Sequence, residues 1–548
     1  MCGNLRKCAT AKEASPVEAY LFPHPKAAYF TETTADAPKE FFVTNHLYDT
    51  LFGPQSNNSG IFLETGDEDQ PISFSAFCSR AATMAHTLVK HGVKPGDRVA
   101  VQAHKRPEML ELYAATIQCG AVFLPLNTAY TRDELTYFLT DATPRVFVCD
   151  NRTHATLSDM LNTLETEVLT LNTDGSGSLA DGSRDNSGTF PTVQRGPDDL
   201  AALMYTSGTT GRSKGAMLTH DNIASNARVL TQAWHITRDD RLIHALPIFH
   251  THGLFVAINT ALLAGASVMF MDRFDLDRII GALPEATLMM GVPTFYTRLL
   301  QDNRLTRDQV RNMRLFISGS APLLAETHDA FAARTGHRIL ERYGMSETNM
   351  ITSNPYDGER IAGTVGLPLR GIEVRLANAE TGAEISDGFG VIEVRGPNVF
   401  KGYWNMPEKT AEELRPDGFF ITGDLGQIDE RGYLSIVGRQ KDLIITGGYN
   451  VYPKEIEDVL NRVDGIRESA VFGLPDADFG ERIVAAVVLE TPDALDAEVL
   501  RTQVADKLAR FKHPNSYVFL EALPRNSMGK VQKNVLRDTL SGGFPTTA

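Results

Sequence analysis

From about residue 72 onward, helical and strand periods alternate along this chain, and that alternation constrains the fold more than any other feature. SFSAFCSRAATMAHTLVKHG (73–92) has apolar residues at helical spacing and a glycine stop. PGDRVAVQA (95–103) reads as a turn and a short strand. PEMLELYAATIQCGAVFLPLN (107–127) reads as helix, glycine and strand, and RVFVCD (145–150) as another strand. Further strand candidates are AALMY (201–205), LIHALP (242–247), TLMMGVP (287–293) and LFISG (315–319). Strands separated by helices pair in parallel, so the pattern predicts an α/β fold of mainly parallel sheets covered by helices. Residues 173–191, TDGSGSLADGSRDNSGTFP, read as an exposed loop. No internal repeat of about 20–50 residues is visible.

The texture changes near residue 439. GRQKDLIITGGYNVYP (438–453) is a charged, glycine-punctuated connector. After it come a helix (453–463), strands SAVFGL (469–474) and IVAAVVLE (483–490), and a helix near 497–511. This is about 110 residues of α+β pattern, enough for a small second domain. The 548 residues therefore divide into a large domain at 43–438 and a small one at 439–548. Residues 1–42 show no clean period and read as an unstructured leader or an over-long start, with Val43 as the alternative first position. Arg6, Lys7 and Lys12 are followed by Glu13 and Glu18 with no apolar run, which argues against a secretory signal.

Charge and cysteines narrow the function classes. Lys+Arg 53 against Asp+Glu 68 gives −15, the wrong sign for a uniform binder of nucleic acid or acidic membranes. A small anionic ligand needs only local positive groups. Cys2, Cys8, Cys78, Cys119 and Cys149 form no CxxC pair and no metal-like spacing. Their odd count and low density fit a reducing compartment, so a cytoplasmic location is expected. GLFVAINTALLAGASVMFM (253–271) is long enough to span a bilayer. However, Asn259 and Thr260 interrupt its apolar face and Gly265 divides it. A buried helix followed by a buried strand is predicted, without membrane insertion.

The strongest local signal is TSGTTGRSKGAMLTH (206–220). Small hydroxyl and glycine residues after a strand let backbone N–H groups approach phosphate oxygens, and Lys214 adds a positive charge. It is not a Walker A loop, because Gly208 is followed five places later by Ser213, and Lys214 by Gly215. Further along stand ISGSAPL (317–323), ERYGMSET (341–348), GYW (402–404), DGFFITGDLG (417–426), GRQKDLIITGGYNVYPKEIE (438–457) and PRNSMGKVQK (524–533).

TSGTTGRSKG resembles the phosphate loop of the adenylate-forming superfamily, which includes acyl-CoA synthetases, peptide-synthetase adenylation domains and luciferases. The later segments resemble that superfamily's motifs in the same order, over roughly residues 45 to 540. The resemblance implies ATP and coenzyme A as co-substrates and Mg²⁺ as cofactor. Thr206, Ser207, Gly208, Thr209, Thr210, Gly211 and Lys214 would then cradle the phosphates. Glu347 would hold Mg²⁺ with Thr206 as a neutral oxygen donor. Gly319, Ser320, Ala321 and Tyr343 would line the adenine slot, with Gly344 and Ser346 completing the ATP site. Asp424 would accept from the ribose hydroxyls, and Arg439 would touch ribose or phosphate. Lys530 would be the catalytic lysine of adenylate formation. Lys441 would be the hinge about which the small domain turns, bringing Gly447 and Gly448 to the CoA channel.

The acid is the remaining question. PIFHTHG (247–253) and GVPTFYTRLL (291–300) are expected in the acyl pocket, with His250 as a wall residue. The two His of HTH are not a zinc signature. Arg298 stands on an otherwise apolar helical start, and an arginine takes a second carboxylate through a bidentate pair. GVPTFYTRLL and RYGMSETNMITSNPYDGER (342–360) closely resemble malonyl-CoA synthetases, in which an arginine of this segment binds the distal carboxylate. Malonate or methylmalonate is therefore the expected substrate, joined to coenzyme A through an acyl-adenylate. A general short- or medium-chain acyl-CoA synthetase and a non-catalytic nucleotide-binding protein are the competing readings. The presence of Glu347, Asp424 and Lys530 weighs against the latter.

Overall fold

The computed structural model describes residues 45–541 apart from 67–69, 207–212, 380, 448, 477, 493, 506 and 527–528. The leader at 1–42, with Cys2 and Cys8, and the loop residues Ser207 to Gly211 lie outside the described residues.

Two largely parallel sheets build the large domain. One runs in the order Glu167–Thr170, Val146–Cys149, Arg98–Gln102, Val122–Pro125, Leu200–Thr206, Lys214–Thr219. Its neighbours are parallel until the final pair, which is antiparallel. The other is nine-stranded, and its central strands Leu340–Met345, Leu315–Ser318, Leu288–Gly291, Arg241–His244, Ser267–Phe270 and Ile61–Glu64 are parallel neighbours in that order. Strands such as Val146–Cys149 and Leu315–Ser318 are buried at every residue, as expected of strands covered on both faces.

Helix Phe74–Lys90 shows how local sequence sets the covering layer. Ser73 is its N-cap, accepting from the Ala76 N–H, and Phe74, Phe77, Cys78, Ala81, Met84, Ala85 and Leu88 form the buried stripe. Phe77 is fully buried, a contribution of about 1.5–3 kcal/mol. Gly92 ends the run at φ +82°, where a side chain would strike Arg145.

The apolar run at 253–271 lies in the core. His252–Ile258 is a π-helical stretch, Asn259–Ala264 continues as α-helix, and Gly265 at φ +73° turns the chain into strand Ser267–Phe270. Among the described residues no helix is long and apolar enough to cross a membrane.

An antiparallel sheet follows in the order Glu384–Ile385, Glu373–Ala377, Gly390–Arg395, Phe420–Ile428, Leu434–Arg439. A turn at Gln440–Asp442 then leads to the smaller C-terminal domain. There Tyr449–Val451, Ile444–Thr446, Gly480–Leu489 and Ile466–Asp476 are consecutive neighbours, and Ser516–Phe519 pairs in parallel with Gly480–Leu489. Helices Pro453–Leu460, Ala497–Ala505 and Lys533–Ser541 pack on it. The helix expected to reach residue 511 stops at Ala505. The N–H groups of Lys507 and Leu508 both turn back to the Val504 carbonyl, and Arg510–Lys512 forms a separate short turn.

Candidate active site

Strand Leu340–Met345 carries the centre of the site. Its period of two sends Arg342 and Tyr343 to opposite faces. On one face the Tyr343 hydroxyl donates to Asp424 Oδ2 at 2.5 Å. Arg439 Nε meets Asp424 Oδ1 at 2.6 Å, across the register pair that joins Asp424 to Arg439. The Asp424 carboxylate holds the Arg439 guanidinium above its ordinary pKa, against burial. Asp424 is itself buried, and each of its oxygens keeps a lone pair for further donors. Gly344 is required by close approach: a Cβ there would lie 2.0 Å from the Asn349 carbonyl oxygen.

On the other face the Arg342 side chain runs beneath the turn that leaves strand Leu315–Ser318. Gly319 leaves room for it, and Ser320 adopts φ +72°, a left-handed conformation uncommon for serine. The Ser320 hydroxyl stands 3.2 Å from His252 Nδ1. Arg342 is 3% exposed, and its Nε and Nη2 have no hydrogen-bond partner among the described residues. Burial pulls its guanidinium down to about 9, opposed only by Tyr296. Burial, followed by the charge of Arg342, holds His252 neutral, well below the ordinary histidine pKa. His250 is brought down to about 3 by burial and by the charge of Lys530, and its Nε2 is buried without a partner.

Lys530 reaches this cleft from the C-terminal domain on a tight turn. Gly529 takes φ +74°, Lys530 N donates to Asn526 Oδ1 at 3.0 Å, and Asn526 N donates to the Lys530 carbonyl at 2.9 Å. Gly529 faces Thr294 of helix Pro293–Leu300, at the large domain's rim. Lys530 is accessible to solvent, yet the surrounding protein lowers its ammonium below the ordinary pKa. Arg439 and Arg342 add to that lowering, while Asp424 and Glu347 oppose it.

Glu347 is 5% exposed and meets no cation at ion-pair distance among the described residues. Its Oε1 lies 3.1 Å from the Tyr403 hydroxyl oxygen, and burial raises its pKa. No three His, Cys, Asp or Glu side chains cluster as a metal site among the described residues. One buried carboxylate that meets no cation at ion-pair distance, with Glu413 beyond the Tyr403 hydroxyl, suits Mg²⁺, which takes one or two carboxylates and completes its shell with phosphate oxygens and water. Thr206 ends strand Leu200–Thr206, with its hydroxyl 3.4 Å from the Lys214 carbonyl.

Other sequence candidates lie further out. Ala321 and Ser346 are half-buried at the rim. Arg298 is exposed one helical turn beyond Thr294, its guanidinium 5.3 Å from the centre of the Phe274 ring. Lys441 is exposed on the turn after Arg439, with its ammonium lowered by burial. Gly447, at φ +56°, tips an exposed hairpin and donates its N–H to the Phe479 carbonyl at 2.8 Å. Gly448 lies outside the described residues. Lys214 turns to Glu413 at 3.1 Å.

Three site residues were not singled out from the sequence: Arg342, Tyr403 and Glu413. Arg342 stands beside Glu341 in ERYGMSET, and nothing in that run marks its guanidinium as the buried one. Tyr403 stood in the quoted GYW segment, but its link to Glu347 and that of Glu413 to Lys214 join residues far apart along the chain.

Comparison with known proteins places this geometry in a family. Residues 55–404 match the AMP-binding enzyme model, and residues 455–530 match the AMP-binding enzyme C-terminal domain. A malonate–CoA ligase of Arabidopsis thaliana is 33% identical, covering 94% of this chain and 93% of its own. The crystal structure of ATP-bound MatB from Rhodopseudomonas palustris is 54% identical, covers 91% of this chain and 99% of its own, and superposes with a TM-score of 0.89. The apo form of MatB, at the same identity and coverage, superposes with a TM-score of 0.80. The chain belongs to the AMP-binding enzyme family.

Proposed function

We propose that this chain is an AMP-forming acid–thiol ligase that makes malonyl-CoA from malonate, ATP and coenzyme A. The observation that carries the choice of acid is Arg342. A buried guanidinium with unpartnered N–H groups, in the cleft that Lys530 enters, is costly unless a carboxylate completes it. The likeness to a malonate–CoA ligase over 94% of this chain supports the same choice. Arg298, at the rim, is the second guanidinium available to the distal carboxylate, and His250 forms the neutral wall between the two ends of the acid.

In the first step one malonate carboxylate oxygen bonds to the α-phosphorus of ATP. The bond from that phosphorus to the bridging oxygen breaks, and pyrophosphate leaves. Lys530 places its ammonium between the attacking carboxylate and the α-phosphate, where negative charge crowds. Asp424 and Arg439 orient the ribose, while Tyr343 with Gly319, Ser320 and Ala321 encloses the adenine, completed by Gly344 and Ser346. The residues at 206–211 and Lys214 follow the phosphates. Glu347 and the Thr206 hydroxyl are the groups that would hold Mg²⁺, which when bound neutralises phosphate charge.

In the second step the CoA sulfur bonds to the acyl carbon, the bond to AMP breaks, and the thiol proton is lost to solvent. The domain boundary at 438/439, with Lys441 as hinge, lets the C-terminal domain carry Lys530 away and bring Gly447 and Gly448 to the thiol channel. A cytoplasmic location fits this reading, since the reduced compartment expected from the cysteines holds both co-substrates.

The test is release of pyrophosphate and formation of CoA ester over malonate, methylmalonate, succinate, acetate, butyrate and octanoate. Malonate leading the panel, with malonyl-CoA identified by mass, supports the reading. A leading monocarboxylate keeps the two steps and removes the acid assignment.

A further inference from the structure

Lys214 comes two places after residues 207–212, which lie outside the described residues, and its ammonium is turned to Glu413. It lies 3.1 Å and 3.3 Å from the two carboxylate oxygens and 4.1 Å from the centre of the Tyr403 ring. The Tyr403 hydroxyl stands between two acids, 2.6 Å from Glu413 Oε2 and 3.1 Å from Glu347 Oε1. A phenol has one proton to donate. The shorter contact assigns it to Glu413, which leaves Glu347 with the weaker share.

The backbone builds this arrangement. Tyr403 pairs with Ala216 in an isolated antiparallel bridge, Trp404 N donates to the Gly215 carbonyl, and Phe400 N donates to the Glu347 carbonyl. The segment 400–404 therefore ties the strand after the phosphate loop directly to Glu347. Glu413 closes helix Pro407–Glu413, where a carboxylate faces the unfavourable end of the helix dipole. It is held there by Lys214 and by Lys409 at 3.0 Å.

Resting on the reading of this chain as an ATP-consuming ligase, we propose that Glu413 is a positioning residue for nucleotide capture. It parks the Lys214 ammonium and, through the Tyr403 hydroxyl, sets the aim of Glu347. A triphosphate takes Lys214 from Glu413 by competing for the same ammonium. Glu413 then keeps Tyr403 and Lys409 as partners. Phosphate capture and carboxylate alignment are thus two ends of one hydrogen-bonded chain.

The test is calorimetric titration of the full chain with ATP in EDTA, then with ATP and Mg²⁺, alongside pyrophosphate exchange. Glu413→Gln frees Lys214, so ATP in EDTA should bind about threefold to tenfold tighter, the size of one partly exposed ion pair. Exchange should nonetheless slow, and the Mg²⁺ concentration for half-saturation should rise. Lys409→Met strengthens the hold of Glu413 on Lys214 and should weaken ATP binding two- to threefold. In a Lys214→Met background the Glu413→Gln effect on ATP affinity should vanish. Unchanged ATP affinity in both Glu413→Gln and Lys409→Met overturns the proposal, as does a Glu413→Gln effect that persists in the Lys214→Met background. If Glu413→Gln does not fold, Lys409→Met alone decides by the sign of its shift. Failure of the unaltered protein to bind ATP rejects the ligase reading instead.

Discussion

The Arg342 guanidinium lies directly against the Gly319 backbone: a Cβ built on Gly319 would sit 2.3 Å from Arg342 Cζ. Gly319→Ala must therefore displace the guanidinium, and Arg342→Ala removes it. Both changes should cost malonate turnover heavily. For Arg342→Ala we expect kcat/KM for malonate to fall by about 100-fold or more, the scale for losing one partner of a buried charge pair. Acetate turnover should not fall in parallel. Equal losses for both acids would show that Arg342 supports the fold of the site rather than the distal carboxylate.

Arg298 provides the contrast. It is exposed and rests over Phe274, so solvent screens what it contributes. Arg298→Ala should lower kcat/KM for malonate by about tenfold, less than Arg342→Ala, and should spare a short monocarboxylate. Steady-state kinetics with both acids measures this. An equal loss for both acids would reject the carboxylate-clamp role.

Lys530 separates the two half-reactions. Lys530→Ala should reduce malonate-dependent pyrophosphate exchange by about 100-fold to 1,000-fold, the scale of one lost oxyanion donor. Thioester formation from presynthesised malonyl-adenylate should stay within about threefold of the unaltered protein. The pH dependence follows from the sign of the shift. Desolvation by the surrounding protein and the neighbouring arginines lower the ammonium, and the proposed role in adenylation needs the cation. Exchange should therefore fall on the alkaline side at a lower pH than an ordinary lysine would give. An alkaline limb unchanged from an ordinary lysine would contradict this.

Glu341 precedes Arg342 and is 7% exposed, with Oε2 lacking a partner among the described residues. Burial raises its carboxyl to about 8 from an ordinary 4.5. Between those values the unfolded chain binds fewer protons than the folded one. Stability is therefore lost as pH rises, by up to about 1.4 kcal/mol per pH unit from this group. Glu341→Gln should remove that slope. Urea midpoints at pH 5, 6.5 and 8 check it: the advantage of the glutamine variant should grow with pH, and a constant difference would refute the assignment.

Coenzyme A is expected at the hairpin of Gly447. Phe479 is 57% exposed beside Gly447, and Tyr449 stacks on Phe511 at 4.8 Å. Exposed rings at the tip of this hairpin, which the proposed rotation would bring to the thiol channel, offer a face to an adenine. Phe479→Ala should raise the KM for coenzyme A about fivefold and leave pyrophosphate exchange unchanged. A change in exchange but not in that KM would remove the ring from the CoA path.

The parallel α/β architecture was legible because it is written locally. Helical stripes such as 74–88 and buried strands such as 146–149 repeat with periods that any reading of the chain detects, and Gly265 marks the break between helix and strand by its backbone alone. The adenylate-forming motifs were legible for the same reason: each is a short contiguous run whose residue types fit one task. Asp424 and Arg439 come together because a strand pair aligns them, and both stood inside recognisable segments. Lys530 was legible as a motif residue, but its entry into the cleft beside Glu347 was not, because the small domain's placement is a tertiary event.

Sequence by itself determined the parallel α/β class, a large N-terminal and a smaller C-terminal domain, and the family, but not every element: residues 173–191 read as a loop and contain helix Ser178–Ser183, whose Leu179 is buried. Tertiary structure alone decided which guanidinium is buried. Arg298 follows Thr297 on an apolar helical start and Arg342 follows Glu341 in a strand, and neither setting says which of the two is buried. Burial depends on what packs above each one, and the turn at Gly319 covers Arg342 while helix Pro293–Leu300 leaves Arg298 to solvent. The chain from Lys214 through Glu413 and Tyr403 to Glu347 was likewise decided only in three dimensions. Its members span 200 residues of sequence, from 214 to 413, and a hydrogen bond depends on distance in space, not along the chain.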